Sequence, residues 1–198
     1  MGKTELIESL KSQGFPKQII EAFKKVKREK FISENIKSLA YEDIALPLEK
    51  GATISQPYTI AFMLALLELK ENQKILEIGS GSGYVLALIS KIIKKGKIYG
   101  IEIIENLAKR SKEILKKDKK ITIINISGSN GLPEKSPFDR MLISAASNEI
   151  PSHLYSQLKD NGILVTPVKN SIFKIKKEKG KIKMHEFSGF VFVPLVKK

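Results

Sequence analysis

Residues 74–84 read KILEIGSGSGY: a short apolar run with an acid at Glu77, then glycines at 79, 81 and 83 ahead of an aromatic residue. Lys74–Ile78 predicts a strand and Gly83–Ile93 a helix, so the glycines fall at a strand-to-helix turn. A residue without Cβ lets the backbone bend tightly there and approach a ligand closely. Downstream the patterns alternate: Lys97–Ile101 is a strand, Glu105–Lys116 a helix with Leu107, Ile114 and Leu115 inward, and Ile121–Ile126 a β-branched strand. This βαβαβ order predicts an α/β fold built on a mostly parallel, doubly wound sheet with helices on both faces.

The flanks extend that core. A strand is expected at Arg140–Ser144, a helix after Pro151 through Leu158 and a strand at Gly162–Pro167. Ile172–Lys176, a turn at Lys179–Gly180, Ile182–Glu186 and Phe190–Val193 read as an antiparallel C-terminal addition. At the other end, Leu6, Ile7 and Leu10 mark one short helix before Gly14, and Pro16 opens a second with Ile19, Ile20, Phe23 and Val26 on one face. Phe31–Pro57 has no period and many turn residues, a length of irregular chain that is more often functional than idle. Pro57 then starts a helix to about Leu69.

Composition removes several chemistries. The 198 residues contain no Cys and two His, which excludes disulfides, thiolate metal sites, a cysteine nucleophile and a multi-histidine metal site. No apolar run approaches the roughly 18 residues of a membrane span, and the N-terminus mixes charged and apolar residues where a signal peptide has an apolar core. A cytoplasmic protein with no membrane contact is expected. The net charge of +14 comes almost wholly from Lys, with Arg only at Arg28, Arg110 and Arg140. Base and phosphate recognition leans on the planar fork of Arg, so a solvated lysine surface is favoured over nucleic-acid binding.

The glycine spacing decides what kind of ligand is expected. A dinucleotide loop would space its glycines G-x-G-x-x-G around a pyrophosphate, whereas this loop is G-x-G-x-G. It resembles the S-adenosylmethionine loop of class I methyltransferases. That ligand carries a sulfonium and an amino group, for which the acid Glu77 offers charge complementarity. Nineteen residues after Gly83, Glu102 ends the next strand, where an acceptor can take both ribose hydroxyls.

Beyond the loop, AYED at 40–43, LP at 46–47, GATISQPYTIAFML at 51–64, PFDR at 137–140, AAS at 145–147, IP at 150–151, QLKDNGILVTPV at 157–168 and FVPL at 192–195 resemble the protein-L-isoaspartate (D-aspartate) O-methyltransferase family. The TISQP segment is the most specific of these. The resemblance implies a single Rossmann-like methyltransferase domain over 1–198. Residues 1–56 would form a helical segment and active-site loop, 57–168 the cofactor-binding core, and 169–198 the antiparallel strands.

The implied activity is protein repair. The methyl of S-adenosylmethionine goes to the free α-carboxylate of an isoaspartyl residue in a damaged protein or peptide, with D-aspartyl a further candidate acceptor. The ester then collapses to a succinimide that hydrolyses partly to normal aspartate. A carboxylate with pKa near 4 is already a nucleophile and the sulfonium already an activated donor, so no general base is needed.

By the same resemblance Ser55 is the active-site serine, a hydrogen-bond positioner. Glu77, Gly79, Ser80, Gly81, Gly83, Glu102, Ser127 and Gly128 are the cofactor residues. Asp43, Thr53, Ile54 and Val193 are the substrate-side residues, with Asp43 holding the Thr53–Gln56 loop or capping a helix or turn. Ser127 stands where the family has an acid for the adenine amino group, and a neutral acceptor is about half as strong. Two other functions compete. An RNA or tRNA methyltransferase is suggested by the lysines but lacks an Asn/Asp-Pro-Pro-Tyr segment, and a degenerate, cofactor-poor binding module is suggested only by Ser127.

Overall fold

The run KILEI is continuous rather than alternating because its strand is covered on both faces. The computed structural model describes residues 1–145 and 147–191. In chain order its elements are α1 (Lys3–Ser12), α2 (Lys17–Lys25), β1 (Leu46–Pro47), β2 (Thr53–Ile54), α3 (Pro57–Leu66), β3 (Gln73–Ile78), α4 (Tyr84–Ile92), β4 (Gly96–Ile101), α5 (Glu105–Leu115), β5 (Ile121–Ile124), β6 (Phe138–Ile143), β7 (Leu158–Val168), β8 (Ser171–Glu178) and β9 (Lys181–Ser188).

Seven strands form one sheet in the order β5-β4-β3-β6-β7-β8-β9. From β5 to β7 all pairs are parallel, and β8 and β9 add antiparallel. The chain steps outward from β3 to β4 and β5, then returns to the far side of β3 for β6. Right-handed crossovers in opposite directions therefore send their connections to opposite faces. Ile75, Leu142, Ile163 and Val165 pack with α1 to α4 on one face. Leu76, Ile78, Tyr99, Ile101, Met141 and Ile143 pack with Leu132 and Leu154 on the other. The reversal of direction opens a crevice beyond the carboxyl ends of β3, β4 and β6, where an open α/β sheet binds its ligands.

The differences from expectation have local causes. The segment after Pro151 is a 3-10 helix, Ser152–Gln157, because SHLYSQ offers one buried apolar residue, Leu154, and no second row to hold a longer helix. The following strand begins at Leu158, earlier than Gly162. α3 ends at Leu66, and Glu68 turns the chain with φ +49°. Ile121–Ile124 is shorter than expected. Phe190 and Val191 lie outside any strand, since Gly189 at φ +93° breaks β9; Phe190 packs on Phe62 instead, their ring centroids 5.1 Å apart. The irregular stretch before α3 holds three 3-10 turns, Arg28–Phe31, Glu34–Leu39 and Glu49–Gly51, and the small β1–β2 hairpin.

All three arginines donate to main-chain carbonyls, and none forms an ion pair among the described residues. Arg140 reaches Leu67, Glu68, Asp139 and Asn161, closing the end of α3 onto the sheet. Arg110 reaches the carbonyl of Ile32. The third, Arg28, belongs to the site. No helix among the described residues is long and apolar enough to cross a membrane.

Candidate active site

The glycine loop leaves β3 at the crevice. Gly79, Gly81 and Gly83 have φ of +76°, +51° and +84°, a left-handed course that side chains disfavour. Gly83 caps α4, and a Cβ there would sit 2.9 Å from Leu115 and 3.0 Å from Ser111 of α5, so the loop and α5 are packed without a spacer. Gly128, after β5, is under the same constraint: a Cβ would meet Ile78 at 2.3 Å.

Gly79, Gly81 and Gly128 wall a chamber of about 280 Å3 together with Lys50–Thr53, Glu102–Ile104 and Ser144, whereas Gly83 faces α5 and Ser80 lines the smaller space beside it. The Glu102 carboxylate is fixed at its edge by two backbone N–H groups, Gly81 to Oε2 at 2.7 Å and Ile104 to Oε1 at 2.8 Å. Each oxygen keeps a further lone pair for a ligand hydroxyl. Asn125, which the sequence reading missed, steadies the same corner by donating to the carbonyls of Glu102 (2.7 Å) and Ile103 (3.2 Å).

Glu77 occupies a strand position where Ile75, two residues earlier, packs into the core. Only 1% exposed, it accepts a hydrogen bond from Ser144 Oγ at 2.7 Å through Oε1. Its Oε2 and the hydroxyl of Ser80 have no partner, and both residues line a smaller chamber of about 40 Å3 shared with Ser55 and Ser144. Burial pushes the Glu77 carboxyl up to about 8; Ser144 pulls the other way and the negative charge of Glu102 adds to the rise. Two orphaned polar atoms in one small space mark a place where a polar or cationic group completes the bonding.

The acceptor side is organised by Arg28, fully buried at the end of a lysine-rich stretch. Its Nη1 donates to the carbonyls of Ala40 (2.9 Å) and Glu42 (3.2 Å), and its Nη2 to those of Ile44 (3.0 Å) and Ser55 (3.0 Å). Burial draws the guanidinium's pKa down, and the Asp43 carboxylate is among the charges that oppose this. Asp43 itself accepts from the Tyr58 N–H at 2.8 Å, capping α3 from outside the helix. Ser55 is therefore held between a capped helix and a clamped carbonyl. It lines a third chamber, about 190 Å3, with Thr53, Gln56, Thr59, Ser144 and Val191.

Thr53 and Ser144 border all three chambers, and Ser55 borders the small one and the third, so the chambers meet around the Thr53 and Ser144 hydroxyls with Ser55 beside them. Ile54 is buried behind the loop and lines the small chamber. Ser127 lines none of the three; its hydroxyl lies 3.1 Å from that of Ser129. Val193 lies outside the described residues. Among the described residues no group of three or more His, Asp or Glu side chains is placed to hold a metal.

Known proteins of the same build exist. The family model described as Protein-L-isoaspartate(D-aspartate) O-methyltransferase (PCMT) matches residues 1–198. A protein-L-isoaspartate O-methyltransferase of Thermosipho melanesiensis is 43% identical over 198 residues, covering 96% of this chain and 100% of its own. One from Pyrococcus horikoshii is 38% identical over 200 residues, covering 96% and 90%. Among solved structures, a Plasmodium falciparum protein described as a protein-L-isoaspartate O-methyltransferase, in complex with S-adenosyl-L-homocysteine, superposes with a TM-score of 0.87 at 26% identity and full coverage of both chains. Another protein-L-isoaspartate O-methyltransferase reaches a TM-score of 0.90 at 26% identity, over 99% of this chain and 66% of that one.

Proposed function

The chain belongs to the protein-L-isoaspartate(D-aspartate) O-methyltransferase family, and on that premise we propose how its residues divide the reaction. It is a protein-repair methyltransferase that uses S-adenosylmethionine and acts on isoaspartyl residues. In our reading the cofactor occupies the chamber of about 280 Å3 and the acceptor carboxylate that of about 190 Å3. The observation that carries this division is the shared wall: Thr53 and Ser144 border both spaces, and Ser55 stands at the acceptor side of the junction.

When bound, S-adenosylmethionine supplies a methyl carbon on a positively charged sulfur; the acceptor oxygen bonds to that carbon as the C–S bond breaks and its electron pair stays on sulfur. The residues present fit such a group. Gly79, Gly81 and Gly128 keep side chains out of its path, Glu102 offers lone pairs to ribose hydroxyls, and the free Glu77 oxygen faces the site of positive charge. Ser55 donates a hydrogen bond that orients the carboxylate. Alignment of oxygen, carbon and sulfur is what remains for the protein to supply, and such positioning contributes up to roughly 7–11 kcal/mol.

Labelled methyl from S-adenosylmethionine is expected on a peptide containing isoaspartate, and not on the same peptide with normal aspartate or on tRNA. Transfer to tRNA alone would overturn this reading. Ser55→Ala is expected to lower kcat/KM on the isoaspartyl peptide about 30-fold, near 2 kcal/mol for one lost orienting hydrogen bond, with cofactor affinity unchanged by calorimetry. Undiminished activity would remove Ser55 from the site.

A further inference from the structure

Thr59 is one polar side chain on the acceptor chamber without a bonding role inside the protein. It is the third residue of α3, only 7% exposed, and it lines the chamber beside Ser55 and Gln56. Its hydroxyl makes no hydrogen bond to any described residue. A helical threonine ordinarily returns its hydroxyl to the carbonyl one turn back. Here that carbonyl belongs to Ser55 and already accepts from Arg28 at 3.0 Å. The hydroxyl is left open to the chamber with no partner inside the protein, a donor available to a group that arrives with the substrate.

We propose that Thr59 is a second hydrogen-bond donor to the acceptor carboxylate, holding the oxygen that does not attack while Ser55 orients the group from the junction with the small chamber. This rests on the reading of the chamber of about 190 Å3 as the acceptor site. A carboxylate has two oxygens and about four lone-pair directions, so one donor leaves it free to rotate and two fix its plane. Neutral donors suit the reaction. Lysine or arginine in their place would stabilise the ionised acceptor before transfer and weaken it as a nucleophile. Among the described residues lining the chamber there is no cationic side chain: Ala45, Thr53, Ser55, Gln56, Thr59, Ser144 and Val191 complete it.

The test uses Thr59→Val, which keeps the branched shape and removes only the hydroxyl, with Thr59→Ser as the restoring variant. Expected for Thr59→Val are a five- to tenfold rise in KM for the isoaspartyl peptide, a cofactor Kd within twofold of the parent, and a melting temperature within about two degrees of the parent. Thr59→Ser should return KM to the parent value. An unchanged KM in Thr59→Val overturns the proposal, and so does an equal rise in both variants, which would make shape the cause. A drop of several degrees in Tm also overturns it, since the hydroxyl would then have a partner within the fold. The parent enzyme on the isoaspartyl and aspartyl peptides separates the two levels. Absence of transfer there defeats the functional reading and this proposal together, whereas normal transfer with an indifferent Thr59→Val defeats this proposal alone.

Discussion

Arg28→Met is expected to destabilise the fold by about 4 kcal/mol and to loosen the segment from Ala40 to Ser55. Methionine fills comparable space with a flexible apolar chain, so a cavity is not the main cost. The cost lies in four carbonyls, those of Ala40, Glu42, Ile44 and Ser55, that lose their donor in a place water does not reach. Each such group costs on the order of 1–3 kcal/mol when stranded, less whatever the loop recovers by opening to solvent. Lysine does not rescue, because an ammonium has three donors on a single nitrogen and cannot span two pairs of carbonyls. Urea unfolding measures the stability, and hydrogen exchange of the 40–56 amides in the native state measures the loosening. A Met variant within 1 kcal/mol of the parent, with those amides equally protected, would show that the clamp is dispensable.

Glu77→Gln is the second large effect, and it has opposite signs in the free and bound protein. The carboxyl ordinarily ionises near 4.5 and in the fold near 8, so between these values the folded chain binds more protons than the unfolded one. Stability from this group is therefore complete below about pH 4.5 and is lost as pH rises through about 8, by at most about 5 kcal/mol. Glutamine has no proton to lose. The free variant should match the parent at pH 5 and melt higher at pH 9.

Cofactor binding reverses the ranking. A cationic ligand beside Glu77 favours the carboxylate, so binding at pH 7 expels a proton and affinity climbs with pH up to about 8. In Glu77→Gln the proton release disappears and affinity at pH 8 falls about 30- to 100-fold, the worth of one buried charge pair at 2–3 kcal/mol. Calorimetry in two buffers of different ionisation enthalpy reads the proton directly. Equal heats in both buffers for the parent would mean that Glu77 does not meet the positive charge. The neighbours that matter are Glu102, whose charge raises the carboxyl, and Ser144, whose bond lowers it.

What the sequence discloses and what it conceals divide along contact distance. The strand before the glycine loop and the helix after it are readable because burial on both faces of β3 and around most of α4 writes itself into consecutive residues. Glu102 is readable for the same reason, being fixed in spacing by one βα unit. Ser55 is reachable only through the resemblance of the TISQP segment, since nothing local distinguishes it from any loop serine. Arg28 is invisible. It sits among lysines and reads as one more solvated charge, while the carbonyls that define it arrive 12 to 27 residues later from a stretch without period. Ser144 and Asn125 are hidden in the same way, because each acts on a neighbouring strand rather than on its own. Asp43 shows its capping role only once α3 is placed beside it, 15 residues on.

The use of every arginine as an internal clamp fixes how this protein answers chemical modification. Arg28 and Arg140 are almost wholly covered, and only half-buried Arg110 offers a guanidinium edge to a dicarbonyl reagent, so the native protein should take up at most one such adduct. Lysines, by contrast, carry the outer charge, many of them singly or in weak surface pairs such as Lys94–Glu71 and Lys109–Glu105. Acylating them would walk the isoelectric point down from about 9.7 in many small steps while the clamps stay in place. Mass spectrometry after mild treatment with each reagent would read the two populations apart: a ladder of lysine adducts, and arginines that become reactive only when the fold is lost.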